Sequence, residues 1–128
     1  MRHSPLVQEH FDNPRGLGPP QGPGPVARGM AGSAAEGARI LIEARIVAGR
    51  IEEITFRALG CPWVIAACSL AVDRLAGAPA AALAAFDPGA LAAELDLPAE
   101  RLGRLLILQD ALRNCLADWD TTQPATAR

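Results

Sequence analysis

Lysine is missing from this chain, and all twelve basic residues are arginine. Together with the abundant alanine, glycine and proline, this absence is typical of a coding bias and indicates no function. The chain also lacks an excess of positive charge, because its formal net charge is −2. Bulk electrostatics therefore give no reason to expect a nucleic-acid partner.

Long apolar runs and a leader sequence are missing as well. Half of the residues are hydrophobic, but no run reaches the roughly 18 residues that indicate a membrane span. The first five residues, Met1 to Pro5, lack the apolar core of a secretory signal peptide. We therefore expect a cytoplasmic protein with no membrane partner.

Cysteine is scarce, with only Cys61, Cys68 and Cys115 in the chain. An odd number without paired spacing argues against a disulfide framework. Cys68 and Cys115 lie within helical patterns and are interpreted as core residues.

Cys61 lies where a predicted strand is followed by a predicted helix. Ile54, Phe56 and Ala58 alternate with Thr55 and Arg57, Gly60 ends that pattern, and Pro62 suits the first turn of a helix. Free N–H groups and the helix dipole at such an N-terminus favour a thiolate. Cys61 is therefore the best candidate for a reactive or ligand residue. The alternative is a small residue that fills a tight corner.

The remaining patterns predict a single domain over residues 1–128, with a flexible Gly/Pro loop at 16–25 and a disordered tail at 120–128. We expect strands over 26–33, 39–47 and 50–59, and helices over 5–12, 62–76, 80–86, 88–95 and 99–119. The packed side of the last helix is expected to carry Leu102, Leu105, Leu106, Leu112, Leu116 and Trp119. Strands first and helices afterwards predict an α+β fold with a three-stranded antiparallel sheet and helices packed on one face.

Four segments, in order, resemble segments of one known family. They are an opening helix that ends in Asn13-Pro14-Arg15, the pair Gly29 and Gly32, the turn at Gly60-Cys61 with the helix after it, and residues 94–98. They resemble the IscU/NifU-type scaffolds of iron–sulfur cluster assembly over about residues 4 to 119. The resemblance implies an IscU/NifU-like (SufE-like) fold and a scaffold or carrier role in cluster assembly, and not an enzyme.

The family's ligand set is only partly present. Its members hold a nascent 2Fe–2S cluster or a zinc ion through three cysteines, assisted by an Asp and a His, and thiolates suit both cargoes. Here the first cysteine position is Glu36 and the Asp position is Ala38. The His and third cysteine positions are Gly103 and Arg104. Cys61 is the one retained thiolate.

This degenerate set predicts weak or absent binding of an iron–sulfur cluster, iron or zinc, through Cys61 and Glu36. One hypothesis is that Glu36 and Arg104 form a salt bridge that closes the vacated site. The rival hypothesis is that Glu36 and Cys61 still bind metal with an outside ligand such as His3.

The resemblance also implies a partner of the cysteine desulfurase type. The segment that an Hsp70-type chaperone recognises in the family is kept only in Leu97, Pro98 and the positive charge of Arg101, which argues against that chaperone as a partner. We expect a monomer or a weak dimer. Three interpretations of Trp63 stay open: it packs in the core, covers the site, or presents an apolar anchor to a partner. Two functions stay open: a carrier of clusters or sulfur at Cys61, and a module without metal chemistry that docks to the desulfurase or other assembly partners.

Overall fold

A computed structural model describes residues 4–122 of the chain. Its helices and strands are, in order, α1 (Pro5–Asp12), β1 (Ala27–Ser33), β2 (Ala38–Val47), β3 (Arg50–Leu59), α2 (Pro62–Leu75), α3 (Pro88–Leu95) and α4 (Leu102–Thr122), with 3-10 turns at Ala80–Leu83 and Ala99–Arg101. The predicted α+β class is confirmed.

The sheet has the order β1-β2-β3, and both strand pairs are antiparallel. Along the central strand β2, Ile40, Ile42 and Ala44 are fully buried on the face that the helices cover. On the opposite face Glu43 is buried by ion pairs with Arg28 and Arg57, at 2.8 and 2.6 Å. The alternation that predicted the strands therefore reports which side of the sheet faces the core.

Helices α2 and α4 cover the sheet side by side. Helix α4 lies across β1 and β2, α2 lies against β3, and α1 packs on α2. Gly29 permits the close approach of α4, because a Cβ there would lie 2.1 Å from the carbonyl oxygen of Ala111 and 2.2 Å from the backbone nitrogen of Cys115. Within the described residues, no helix is long and apolar enough to cross a membrane.

The loop at 16–25 contacts the outer edge of β3. Gly16 accepts a hydrogen bond from the N–H of Phe56 at 2.8 Å, and Gly18 donates one to the Phe56 carbonyl at 3.0 Å. The carboxylate of Glu53 accepts two further N–H groups of the loop, at 2.7 and 2.8 Å. The segment that we expected to be flexible is therefore attached to β3 by hydrogen bonds.

Two helix predictions and one boundary need correction. The helix predicted over 80–86 is a single 3-10 turn, and the helix predicted from residue 99 begins with another 3-10 turn before α4. The predicted tail is wrong for its first three residues, because α4 continues through Thr122. Residues 123–128 lie outside the described part of the chain.

Candidate functional site

The segments around Glu36 and Cys61 meet at one end of the sheet. Arg39 and Leu59 are ladder partners on β2 and β3. Gly37 and Cys61 each lie two residues beyond that pair, one just before β2 and the other just after β3. Antiparallel pairing therefore places both residues beyond the same end of the β2–β3 ladder.

Cys61 is the N-cap residue of α2. Its backbone is extended (φ −76°, ψ 171°), and its carbonyl accepts the N–H groups of Val64 and Ile65 at 2.9 and 3.2 Å. Its thiol makes no capping hydrogen bond to the start of α2. The residue is half-buried and packs against the edge of the core at the helix N-terminus.

The other two cysteines are fully buried. Burial raises the pKa of the Cys68 thiol, and burial, with the charge of Asp118, raises the pKa of Cys115 to about 12. Cys115 is also held by a hydrogen bond from its sulfur to the Ala27 carbonyl at 3.5 Å. Both thiols therefore stay protonated at neutral pH, and thiolate chemistry is left to Cys61.

Arg104 reaches the turn before β2. A Cβ at Gly37 would lie 2.7 Å from the Nη2 atom and 2.8 Å from the Nε atom of Arg104, and Gly37 has a positive φ of +86°. Only glycine adopts this conformation freely and leaves room for the guanidinium. The structure thus places Arg104 against Gly37, the neighbour of Glu36.

The predicted salt bridge between Glu36 and Arg104 is not formed within the described residues. The Glu36 carboxylate is exposed and accepts a hydrogen bond from the Ser33 hydroxyl at 3.0 Å, and the Glu36 N–H donates back to Ser33. The short Ser33-to-Glu36 turn supplies this local partner, so the carboxylate does not need the guanidinium. That the side chains of Glu36 and Cys61 lie within about 7 Å, two residue lengths, stays a prediction.

Two further positions complete the site. Ala38 is 1% exposed and faces the core, whereas Gly103 is exposed at the start of α4 with open space around it. Neither supplies a ligand atom from a side chain. No group of three or more His, Cys, Asp or Glu residues within 4–122 is placed to hold a metal ion, and His3 lies outside that range.

Sequence reasoning missed one member of the site, Arg101. Its guanidinium carbon lies 4.4 Å from the centre of the Trp63 ring, which is itself buried. This stacking is a cation–π contact. The available signal was a basic residue three positions before Arg104, on the same side of a helical segment.

The sheet order, the covering helices and the cysteine at the start of α2 define an α+β domain of the scaffold type. The family model of the NifU-like N-terminal domain matches residues 2–126, so the chain belongs to this family. The resemblance inferred from the sequence is confirmed.

Individual relatives cover almost the same length. The chain is 29% identical over 125 residues to the iron–sulfur cluster assembly scaffold protein IscU of Haemophilus influenzae, covering 96% of this chain and 99% of the relative. It is 28% identical over 127 residues to IscU of Escherichia coli, covering 98% and 99%. The crystal structure of an N-terminal NifU-like protein from Brucella abortus superposes with a TM-score of 0.70 at 18% identity, covering 94% of this chain and 95% of that one. That structure supports the fold.

Proposed function

We propose that this protein acts in iron–sulfur cluster assembly by accepting and carrying sulfur on Cys61. The observation that carries the proposal is the contrast among its cysteines: Cys61 is half-buried at a helix N-terminus, whereas Cys68 and Cys115 are fully buried. Membership of the family supports the assembly role, because the relatives are named as iron–sulfur cluster assembly scaffold proteins.

The transfer needs only the thiolate of Cys61 and a donor persulfide. The thiolate attacks the terminal sulfur of the donor, one sulfur–sulfur bond breaks and another forms, and the donor leaves as a thiolate. The proton of the donor persulfide stays on the transferred sulfur or passes to water, and no external oxidant or reductant is consumed. The donor of this chemistry is a partner of the cysteine desulfurase type.

Binding of a cluster, iron or zinc as cargo is proposed to be weak or absent. The remaining donors at the family's ligand positions are the thiol of Cys61 and the carboxylate of Glu36. Arg104 brings a positive charge against Gly37, and a fixed cation disfavours a divalent metal nearby. Closed zinc sites need four ligands and iron–sulfur clusters need thiolates, so two donors beside a guanidinium hold metal poorly.

The test is transfer from a cysteine desulfurase supplied with L-cysteine. Intact-mass and peptide mass spectrometry should find one added sulfur atom on Cys61. Cys68 and Cys115 in the same molecules are the internal reference, and Cys61→Ser is the variant that should take up none. Sulfur found equally on Cys115, or uptake that survives Cys61→Ser, would refute the carrier function.

A second candidate is a module that has lost metal and sulfur chemistry and docks to the desulfurase. The observation that favours it is Arg104 packed on Gly37 at a former ligand position. Pull-down with the desulfurase, combined with the sulfur-transfer assay, separates the two functions. If the protein is only a docking module, the wild type and the Cys61→Ser variant bind the desulfurase equally well, and the wild type accepts no sulfur. Anaerobic reconstitution with iron and sulfide, followed by visible absorption, tests cluster binding in the same preparations.

A further inference from the structure

We propose that Arg101 and Arg104 form an anion-binding site beside Cys61, and that its occupant is the negatively charged terminal sulfur of a persulfide on Cys61. The inference rests on the proposed sulfur transfer and adds to it the groups that hold the transferred sulfur.

The two guanidiniums lack carboxylate partners within the described residues. Arg15, Arg28, Arg45, Arg57 and Arg74 each form an ion pair. The Nε atoms of Arg101 and Arg104 are buried and have no hydrogen-bond partner in the part of the chain that the structure describes. Buried polar groups in native proteins are nearly always paired, so an unpaired donor requires an explanation, and a bound ion is one. The Nε of Arg45 and the hydroxyl of Thr55 are unpaired as well, but Arg101 and Arg104 place two such donors on one short segment.

Both side chains are fixed by contacts at the same end of the sheet. Arg101 stacks on Trp63, two residues after Cys61. Arg104 packs on Gly37, which lies two residues beyond the ladder pair that Cys61 also follows. Arg101 therefore contacts a side chain in the first turn of α2, while Arg104 contacts the turn before β2. Because Arg101 stacks on the ring through its flat face, the N–H donors in its plane stay available for an anion.

The local charges favour an anion. Glu36, the neighbour of Gly37, bonds to Ser33, and Glu100, the neighbour of Arg101, is exposed and forms no ion pair within the described residues. The first N–H groups of α2, a helix of 14 residues, add a partial positive charge at Cys61. A site of this kind repels metal cations and attracts a negatively charged ligand.

A persulfide has the properties that this site selects. It ionises more readily than a thiol, so its terminal sulfur is negative at neutral pH. That sulfur is one bond further from the backbone than the Cys61 sulfur. It is also large and weakly hydrated, which suits the weakly hydrated guanidinium better than it suits an ammonium group.

The experiment compares an anionic and a neutral reagent on the same thiol. Rates of Cys61 alkylation by iodoacetate and by iodoacetamide are measured by mass spectrometry, and their ratio cancels changes in the thiolate itself. If each guanidinium lies about 6 Å from the bound iodoacetate in water, the ratio of the iodoacetate rate to the iodoacetamide rate should fall about threefold in Arg101→Gln or Arg104→Gln. In the double variant it should fall about tenfold. Sodium tetrasulfide, an anionic sulfur donor, should load Cys61 more slowly in the double variant by at least about threefold.

Matched variants separate charge from structure. Arg113→Gln removes one charge from an exposed position on α4 and should leave both measurements unchanged. Arg101→Lys with Arg104→Lys keeps the charge and should retain most of the ratio. An unchanged ratio in the double glutamine variant overturns the inference, and so does an equal fall in Arg113→Gln. If the ratio falls but the loading by tetrasulfide is unchanged, the site binds anions but does not hold the terminal sulfur of a persulfide, and that part of the inference is refuted.

The result is distinguishable from the test of the proposed function. If the desulfurase fails to load Cys61 while both measurements depend on the arginines, the carrier function fails and the site stands. If the desulfurase loads Cys61 and neither measurement responds, the carrier function stands and the anion site is refuted.

Discussion

Single residues at this site are distinguished by burial more than by sequence context. Cys61, Cys68 and Cys115 all lie at or within helices. Only Cys61 is placed where solvent and a helix N-terminus meet, because it precedes α2 and follows the end of β3. A thiol in the interior lacks the access that nucleophilic attack requires, and burial disfavours its anion.

The first prediction is the order of labelling by iodoacetamide at pH 7. Cys61 should react first, because the pKa of about 12 at Cys115 leaves only about one part in 10⁵ as thiolate, and a fully buried thiol reacts only when the protein opens. Peptide mass spectrometry over time checks the order. Labelling of Cys115 as early as Cys61 would mean that Cys61 only fills a corner.

His10 is the second residue whose environment predicts a measurable effect. Its Nδ1 lies 2.7 Å from the hydroxyl of Ser69, which also accepts the N–H of Arg15 at 2.8 Å. Both side chains are buried, so these bonds join α1 and the segment after it to α2. Burial is the main cause that lowers the pKa of His10, and the charged groups around it are Glu9, Arg15, Asp73 and Arg74.

The sign of the pH dependence follows from that lowered pKa. The unfolded chain binds a proton on His10 near pH 6.5, before the folded chain does, so stability is complete above about pH 6.5 and falls as the pH drops below it. We expect the melting temperature to fall between pH 7.5 and pH 5. His10→Gln should reduce that fall and cost about 1 kcal/mol at pH 7.5 through the lost buried hydrogen bond.

The control for this prediction is the only other histidine. His3→Gln makes the same chemical change outside the described residues and should leave the pH profile of thermal unfolding unaltered. A profile that His10→Gln leaves equally steep would assign the pH dependence to other groups.

Elements are positioned here by backbone contact as much as by side-chain packing. Helix α4 approaches β1 so closely that Gly29 has no space for a methyl group beside Ala111 and Cys115. Because α4 also carries Arg104, the separation of this helix from the sheet fixes where the guanidinium meets Gly37. The helix position therefore controls the site.

Gly29→Ala should consequently destabilise the fold. The added carbon meets backbone atoms that cannot rotate away, so the cost should be at least about 3 kcal/mol. Chemical denaturation measures it. The matched control is Gly103→Ala in α4, where no atom lies within 4 Å of the added carbon. That variant should be neutral or more stable by about 0.5 kcal/mol, since alanine favours helix. Equal effects of the two variants would contradict the packing.

The positions of the helices and strands were largely predictable from the sequence, but which side of each element is buried was predictable only in part. Apolar residues alternate with polar ones through much of β2 and β3, so both strands were located within one residue of their observed ends. Glu43 and Thr55, on the polar side, are buried as well. Helix α4 has leucines on several sides, so the spacing of its apolar residues does not show which side is buried. Leu102 and Leu106, expected on the packed side, are 40% and 47% exposed, whereas Ile107 and Ala111 are buried together with Cys115, which was expected in the core.

At the scale of the whole molecule, the segments before β2 and after β3 that carry two of the family's ligand positions meet at one end of the sheet, but the residues there have a different chemistry. The positions of Cys61 and Arg104 followed from the resemblance and from the topology of the sheet. The partners of the guanidiniums did not, because stacking on Trp63 and on Gly37 depends on side-chain directions that spacing along the chain leaves open. That Glu36, Cys61 and Arg104 form one site therefore stays a prediction, and the ion pair expected between Glu36 and Arg104 is replaced by the contact of Arg104 with Gly37.

The last prediction concerns metal content and its restoration. The purified protein should contain less than one zinc or iron per chain, because one family thiolate remains where closed zinc sites need four ligands. Glu36→Cys with Arg104→Cys adds two thiolates near Cys61 and removes the cation, so its zinc content should rise toward one per chain in elemental analysis. Arg104→Ala is the control, since it removes the cation without adding a ligand and should stay below one. Wild-type protein with one zinc per chain, lost on Cys61→Ser, would contradict the prediction and show that Cys61 already belongs to a complete metal site.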